Sequence, residues 1–162
     1  MVKDESLTLD CPPEFVPFVY QAEEICIMRD YYSEDGIRTP LTYNQAVAIA
    51  LENGWGLPTR EQVDAIWAAA DCQLDPITMS PIAEMTEPWY AELHNRLIEE
   101  QLFHSDYENC EIVAGHKKDV LADGSIYGWH RSNGRPIQPV FYGHGDNYRD
   151  YSHGIRFIIW EP

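Results

Sequence analysis

The stretch Ser125-Ile-Tyr-Gly-Trp-His-Arg-Ser-Asn-Gly-Arg-Pro-Ile-Gln-Pro-Val-Phe-Tyr142 decides the fold class of this chain. It contains two segments rich in aromatic and β-branched residues, 125–130 and 136–142, and the turn residues Ser132-Asn-Gly134 join them. This arrangement is typical of two strands in a β-hairpin. Two further segments of the same character predict strands at 111–114 and 154–160. The C-terminal third therefore predicts a mostly antiparallel sheet of about four strands.

Upstream of this sheet, the hydrophobic pattern has the period of helices. Thr42-x-x-Gln45 and Thr59-x-x-Gln62 are capping boxes, in which a threonine and a glutamine side chain satisfy backbone groups of the first turn. We expect the first helix to end near residue 52, because Asn53-Gly54 follows. The second helix is expected to run through residue 70.

A third helix is expected to begin after Thr86, which we interpret as its N-cap, with Pro88 in the first turn. Helical spacing predicts that its buried stripe consists of Trp89, Leu93, Leu97 and Ile98.

Helices followed by strands predict an α+β fold, with N-terminal helices packed on a C-terminal sheet. At 162 residues, a single domain covering 1–162 is expected. Residues 1–40 are irregular by pattern, with an edge strand at 15–20 and a short strand at 24–28. The helical part covers 41–104, and the β part covers 111–160.

The acidic residues are concentrated in the first two thirds of the chain. Residues 111–162 hold six lysines and arginines and six aspartates and glutamates, so the net charge of −16 belongs to residues 1–110. Such a charge makes a long nucleic acid an unfavourable substrate, because phosphate binding needs a basic surface. It permits docking on a basic partner protein.

The chain has four cysteines: Cys11, Cys26, Cys72 and Cys110. None is in a C-x-x-C pair, which excludes a zinc-ribbon or thioredoxin-like motif. Four cysteines could form two disulfides. However, no apolar segment typical of a secretory leader follows Met1, so we expect reduced thiols in a cytoplasm. No apolar run approaches the roughly 20 residues of a membrane-spanning helix.

Three histidines in the β part are candidate catalytic or metal-binding residues. His130 ends a predicted strand, His144 lies in a glycine-flanked loop, and His153 precedes the last strand. Imidazoles that meet at one end of a sheet, together with Asp146 or Asp150, would suit zinc with an open position for water. Zinc lowers the pKa of its bound water and so supplies a hydroxide nucleophile.

An alternative without metal uses one imidazole as base, a second as acid and a lysine to stabilise an anionic intermediate. Lys117 and Lys118 are candidates for the lysine, but neighbours in a strand point to opposite faces, so at most one faces the site. Ser152 offers a hydroxyl nucleophile. It would need His130 or His144 as its base. The side chains of adjacent residues in an extended chain diverge, so His153 is a poor base for it.

The remaining candidates would contact substrate, and they are Tyr127, Trp129, Gln138, Tyr142, Tyr151 and Arg156. The alternative for Tyr127 and Trp129 is a place in the core or on a sheet face. Arg156 lies within an apolar strand, where its guanidinium needs a ligand anion or a carboxylate such as Asp119 or Asp150.

Several strings in residues 40–160 resemble an uncharacterised family of phage and bacterial proteins. These are Ala114-Gly-His-Lys-Lys-Asp-Val120, Ile126-Tyr-Gly-Trp-His130, Pro136-Ile-Gln-Pro139, Tyr151-Ser-His-Gly-Ile-Arg156, Leu57-Pro-Thr-Arg-Glu-Gln-Val-Asp64 and His94-Asn-Arg-Leu-Ile-Glu-Glu100. The resemblance implies a phage or bacterial source and brings no activity with it. Residues 1–35 are not covered, and the link between Asp119 and Ser125 is shorter than the family pattern.

Two hypotheses follow for the function. The first is a small hydrolase with its site at the end of the C-terminal sheet. Bacterial cell-wall material is its first substrate class, on the resemblance alone, and a phosphodiester is the second. The other hypothesis is a non-catalytic phage-type binding protein whose acidic face docks on a basic host protein. Three histidines converging on a cleft favour the enzyme, and carboxylates massed on one face favour the binder.

Overall fold

The structure is a computed structural model that describes residues 10–105, 107 and 109–160. Residues 1–9, part of the segment predicted to be irregular, lie outside the described residues. The two strands predicted near the start of the chain are present as β1 (Phe15–Tyr20) and β2 (Glu23–Met28), and they pair as a hairpin that was not predicted. Strand β11 (Ile158–Ile159) pairs with the other edge of β2, and the sheet order is β1-β2-β11. Pro17 lies in the edge strand, where a missing N–H is tolerated.

A small hairpin follows, made of β3 (Ser33–Glu34) and β4 (Ile37–Arg38). The two residues between them, Asp35 and Gly36, have φ values of 54° and 79°. Two successive positive φ angles make the tight turn that suits a two-residue hairpin loop.

The first two helices form where the capping boxes predict them. Helix α1 (Tyr43–Asn53) and helix α2 (Arg60–Ala69) both carry the reciprocal threonine and glutamine hydrogen bonds. Gly54 ends α1 with a φ of 74°, a conformation that glycine adopts without strain.

The N-cap and part of the buried face of the third helix, α3 (Pro88–His104), were predicted wrongly. Thr86 closes a 3-10 turn (Ala83–Thr86), and Glu87 is the N-cap. Trp89 is 50% exposed. Ile98 is buried as predicted, and Leu93 and Leu97 are half-buried. The other buried residues of α3 are Tyr90, Ala91, His94 and Asn95.

The buried face of α3 is set by distant polar partners. Asn95 accepts hydrogen bonds from Arg38, and His94 contacts Lys117. Because these partners lie outside the helix, its own apolar period could not indicate which face is buried. Among the described residues, no helix combines the length and the apolar character needed to cross a membrane.

The four-stranded sheet has the order β10-β7-β8-β9. Its strands are β7 (Lys118–Val120), β8 (Ile126–His130), β9 (Pro136–Phe141) and β10 (His153–Gly154). The pairs β7·β8 and β8·β9 are antiparallel, and β10·β7 is parallel. The α+β class with a mostly antiparallel sheet of about four strands is therefore confirmed.

Two details of the predicted arrangement differ. The segment predicted as one strand at 154–160 divides between β10 and β11, and β11 belongs to the N-terminal sheet. The segment at 111–114 contributes only β6 (Val113–Ala114), which pairs in parallel with β5 (Cys72–Gln73). The helices are not clearly N-terminal, because the β1·β2 hairpin precedes them.

The hydrophobic core lies on both faces of the N-terminal sheet. One cluster packs Ala46 and Ala50 of α1 with Ile126 of β8 and Phe157. Another packs Ile66 of α2 against buried hydrophobic residues of β1 and β2. A third cluster joins α3 to the four-stranded sheet, through Tyr90, Ala91, Trp129 and Tyr151.

All four cysteines are paired, so the prediction of reduced thiols is wrong for this structure. Cys11 bonds to Cys26, and Cys72 bonds to Cys110. The Cα atoms of the two pairs are 5.7 Å and 5.9 Å apart, within the usual range of Cα separations for bonded cysteines. The sequence spacing could not indicate these pairs, because strand pairing and the approach of α3 bring the cysteines together.

Candidate functional site

Strand β8 separates two groups of side chains that the sequence placed together. Its pairing with β9 shifts register between Ile126 and Gly128, and Trp129 has a φ of 63°. This irregularity breaks the alternation of a regular strand. Tyr127 therefore packs with α2 residues, whereas Trp129 packs with Tyr151 and α3. The two predicted wall residues line different parts of the molecule.

His144, Asp150 and His153 converge at the β10 edge of the four-stranded sheet. One ligand-type atom from each lies within 4.8 Å of the other two. Asp150 and His153 are 3% and 2% exposed, and His144 is partly exposed. Two imidazoles and a carboxylate thus form a cluster with one accessible member.

Three hydrogen bonds fix the orientation of the Asp150 carboxylate. Its Oδ1 accepts from the backbone N–H of Ser152 at 2.8 Å and from the Ser152 hydroxyl at 2.6 Å. Its Oδ2 accepts from the Tyr148 hydroxyl at 2.9 Å. Ser152 is 1% exposed and its hydroxyl is committed to Asp150. The predicted nucleophile therefore positions a carboxylate.

The ring of His144 stacks on the ring of Tyr148, with centroids 3.9 Å apart and planes 12° from parallel. The ring of Phe141 lies against the same imidazole, with centroids 5.1 Å apart. Tyr148 therefore contacts two members of the cluster, one by stacking and one by a hydrogen bond.

The Nε2 atom of His153 is buried and has no hydrogen-bond partner. Its nearest carboxylate oxygen, Asp150 Oδ2, lies 3.7 Å away, which is too long for a hydrogen bond. A buried polar atom without a partner is costly, because it has lost its hydration and gained nothing in return. This atom is the main unexplained feature of the cluster.

Burial keeps the two imidazoles of the cluster uncharged, whereas Asp150 stays ionised. Burial lowers the pKa of His153 to about 4, and it also lowers the pKa of His144. Burial opposes the ionisation of Asp150, but His153 and the hydrogen bonds from Ser152 outweigh it and hold the pKa of Asp150 below its ordinary value. At neutral pH the cluster therefore consists of two neutral imidazoles and one carboxylate.

Lys118 and Lys117 have different environments, as predicted for neighbours in a strand. The Lys118 ammonium lies 4.9 Å above the Trp129 ring, and Lys118 pairs across the strands with His153. Its charge acts on both imidazoles of the cluster. Lys118 is therefore the lysine next to the candidate site.

Lys117 is almost completely buried and has no carboxylate partner among the described ion pairs. Its Nζ donates to the carbonyl oxygen of Tyr151 at 2.6 Å and lies 3.1 Å from His94 Nδ1. Burial lowers the pKa of Lys117 to about 7. A Cβ atom added to Gly154 would lie 2.6 Å from Lys117 Cβ, so the lysine stem packs directly beneath β10.

His130 lies in a separate site. Its Nε2 is 2.7 Å from Asp64 Oδ1, and its ring stacks on Trp67 with planes 16° from parallel. Tyr127 donates to the same Asp64 oxygen at 2.7 Å. Within the described residues, the cluster of ligand-type atoms around His153 has Asp150 as its third member and does not contain His130.

The other predicted contact residues have structural partners. Tyr151 is buried and bonds through its hydroxyl to the backbone of Met79. Arg156 donates to the carbonyl oxygens of Met28 and Val113 rather than to a carboxylate. The Gln138 amide donates to a backbone carbonyl, and the exposed Tyr142 donates to Asp123.

A second buried polar group was missed by the sequence analysis. Asp30 accepts from Arg38 and pairs with His116 at 2.8 Å. Arg38 also reaches Asn95 and Glu99 at 2.9 Å and 2.7 Å. These contacts span β4, α3 and the segment before β7, so no local pattern could have indicated them.

A second group of ligand-type residues consists of Asp71, Cys72 and Cys110. Its two sulfur atoms are bonded to each other, and Asp71 accepts backbone hydrogen bonds from Glu111 and Ile112. This group therefore stabilises the β5·β6 region and is not a metal site.

A cleft of about 410 Å³ lies between the β3·β4 hairpin and the start of α3. Asp150 and Tyr151 form part of its wall, so it borders the histidine cluster. Its lining also includes four other carboxylates, at Glu34, Asp35, Glu87 and Glu92, and two arginines, Arg38 and Arg149.

Comparison of the chain with known protein families, curated proteins and solved structures found no match.

Proposed function

We propose that this chain is a small hydrolase that activates water at the cluster of His144, Asp150 and His153. The observation that supports this most directly is the convergence of two neutral imidazoles and an oriented carboxylate around the unpaired His153 Nε2. Side chains of these types are the usual means of activating water at neutral pH. His144 is the accessible member and provides the entry for substrate.

Lys118 supplies the positive charge that the reaction needs. Attack of water on an acyl or phosphoryl centre places negative charge on an oxygen of the intermediate. The Lys118 ammonium is half-buried and lies next to the cluster, where its charge is less screened than on an open surface. Lys117 is fully enclosed and instead holds the backbone that carries the cluster.

Bacterial cell-wall material is the first substrate class to test, since the sequence strings resemble phage and bacterial proteins. A phosphodiester is the second class. Disulfides persist in oxidising compartments, so the two bonds favour action outside the reducing cytoplasm that the sequence predicted.

The test uses the purified full chain with peptidoglycan fragments and, separately, with a chromogenic phosphodiester. We expect release of product by the native chain, loss of release in His144→Ala, and a lower kcat in Lys118→Met. His104→Ala is the matched control, since it removes an exposed histidine at the end of α3. Full turnover by His144→Ala, or no hydrolysis of either substrate class by the native chain, would contradict the proposal.

The carboxylates of the cleft favour a second candidate function, the docking of a basic partner protein. Glu34, Asp35, Glu87 and Glu92 line one cleft in a chain of net charge −16. Charge complementarity of this kind gives binding that weakens steeply with salt. A Glu87→Lys, Glu92→Lys double variant should weaken binding to a basic polypeptide such as polylysine. Equal binding by the variant and the native chain would exclude this function.

A further inference from the structure

We propose that His144, Asp150 and His153 are the three protein ligands of a Zn²⁺ site, with a fourth position left for water. The inference rests on the proposed hydrolase and identifies how its water is activated. It predicts a site with two nitrogen ligands and one oxygen ligand, a donor set that suits zinc and leaves one of its four positions unfilled by protein.

The first argument is the distance between His153 Nε2 and Asp150 Oδ2. It is 3.7 Å, longer than a hydrogen bond. Two ligands bound tetrahedrally to one zinc at 2.0–2.1 Å lie about 3.3 Å apart. All three ligand-type atoms lie within 4.8 Å of one another. Shifts of about 1 Å would therefore bring the set to coordination distance.

The second argument is the unpaired nitrogen itself. His153 is 2% exposed, and its Nε2 has no hydrogen-bond partner. Three other buried ring nitrogens also lack partners: His116 Nδ1, Trp67 Nε1 and Trp129 Nε1. Within the part of the chain that is described, none of these belongs to a cluster of three ligand-type residues. A metal would satisfy the His153 nitrogen where the protein provides nothing else.

The third argument is the set of contacts behind the ligands. Metal-binding carboxylates and imidazoles are usually held by further hydrogen bonds that fix their orientation. Ser152 holds Oδ1 of Asp150 through its N–H and its hydroxyl, and Tyr148 holds Oδ2. Tyr148 also stacks on His144. Oδ2 of Asp150, which lies 3.7 Å from His153 Nε2, accepts one hydrogen bond among the described residues and so retains acceptor capacity for a metal.

The charge of the site is compatible with a dication. Asp150 contributes one negative charge, and bound hydroxide would add another. Lys118 is the opposing charge, and the electron-rich face of Trp129 holds its ammonium 4.9 Å from the ring centroid. Lys117, which also acts on His153, donates to a backbone carbonyl.

The experiment is a calorimetric titration of the full, disulfide-intact chain with ZnCl₂ after removal of metal by a chelator. We expect one site per chain, and at least a 100-fold loss of affinity in His144→Ala and in Asp150→Asn. Because His144 is partly exposed, its variant should fold normally. Asp64→Asn is the matched control, since it alters the aspartate beside His130, and it should bind zinc within about threefold of the native affinity. A second readout is the visible spectrum of the Co²⁺-loaded chain, which should show the intense bands of four-coordinate cobalt.

Native-like zinc affinity in both His144→Ala and Asp150→Asn would overturn the inference, as would absence of binding by the native chain. The outcome is separable from that of the hydrolase. Stoichiometric zinc without hydrolysis would contradict the proposed hydrolase and leave the metal site standing. Hydrolysis that continues at the native rate after zinc is removed would contradict the activation of water by zinc and leave the proposed hydrolase standing.

Discussion

His130 and His153 are both buried beside an aspartate, yet the protein uses their nitrogens differently. His130 Nε2 lies 2.7 Å from Asp64 and its ring stacks on Trp67. His153 Nε2 lies 3.7 Å from Asp150 and has no hydrogen-bond partner. Burial and a neighbouring carboxylate therefore do not identify a functional histidine. The unsatisfied nitrogen, together with a second imidazole, distinguishes the candidate site from the structural pair.

Lys117 packs beneath β10, and its titration tests whether the interior behind His153 is as enclosed as the structure shows. Its pKa is lowered by burial to about 7, below the ordinary value of 10.5. Between pH 7 and 10.5 the unfolded chain keeps the proton that the folded chain has lost, so the free energy of unfolding should rise with pH. The slope should be roughly 1 kcal/mol per pH unit, giving about 4 kcal/mol across the window.

Urea unfolding of the native chain and of Lys117→Met at pH 7, 8 and 9 measures this effect. The rise should be present in the native chain and largely absent in the variant. A flat profile in the native chain would show that Lys117 is not enclosed, and the support for β10 would fail with it.

The next largest effect is the stabilisation of the chain by zinc, which should depend on His153 and not on His130. A ligand at 100 times its dissociation constant adds about 2.7 kcal/mol to stability, which for a chain of this size raises Tm by roughly 5–10 °C. His130→Ala should keep this increase, and His153→Ala should lose it. Differential scanning fluorimetry with and without zinc measures both. An equal increase in the two variants would remove the contrast.

Without metal, His130→Ala should lower the free energy of unfolding more than His153→Ala does. Both alanine substitutions leave a cavity of similar size, but only His130→Ala also breaks a hydrogen bond to a carboxylate. Such bonds contribute roughly 1.5–3 kcal/mol. In chelator, His130→Ala should therefore destabilise the chain by about 1.5–3 kcal/mol more than His153→Ala. Chemical denaturation gives the two values, and equal losses would mean that His153 is also held by a hydrogen bond.

The smallest effect is on zinc affinity, when the hydrogen bond from Tyr148 to Asp150 is removed. Tyr148→Phe keeps the stacking on His144 and removes the hydrogen bond to Asp150. Loss of such an outer contact weakens metal binding by roughly tenfold. Tyr127→Phe removes the corresponding hydroxyl on the His130 side and should leave zinc affinity unchanged. Titration calorimetry compares the two.

The parts of this fold that the sequence predicts well are those set by neighbouring residues. The capping boxes at Thr42 and Thr59 begin α1 and α2, and Gly54 ends α1. Strands β1, β2, β8 and β9 likewise follow local pattern. Each depends on interactions that span only a few residues.

The parts that fail depend on distant partners. Burial of His94 and Asn95 on α3 needs Lys117 and Arg38, which lie far away in the chain. The left-handed Trp129 directs its ring away from Tyr127, and no sequence rule indicates a positive φ at a tryptophan.

The candidate site was predicted in part. His144 and His153 were identified because they flank the last strands, and Asp150 was named as one of two carboxylates that could join them. His130 is held by Asp64, which belongs to α2, so the separation of the histidines was visible only in three dimensions. Tyr148 was missed, because its role depends on stacking against His144.

The central claim is that His153 Nε2 is a metal ligand, and anomalous diffraction at the zinc absorption edge tests it most directly. Crystals of the full chain grown with equimolar zinc should give one strong peak within about 2.0–2.2 Å of His144, Asp150 and His153. A difference map with no peak at these residues, or with the principal peak at His130, would contradict the account.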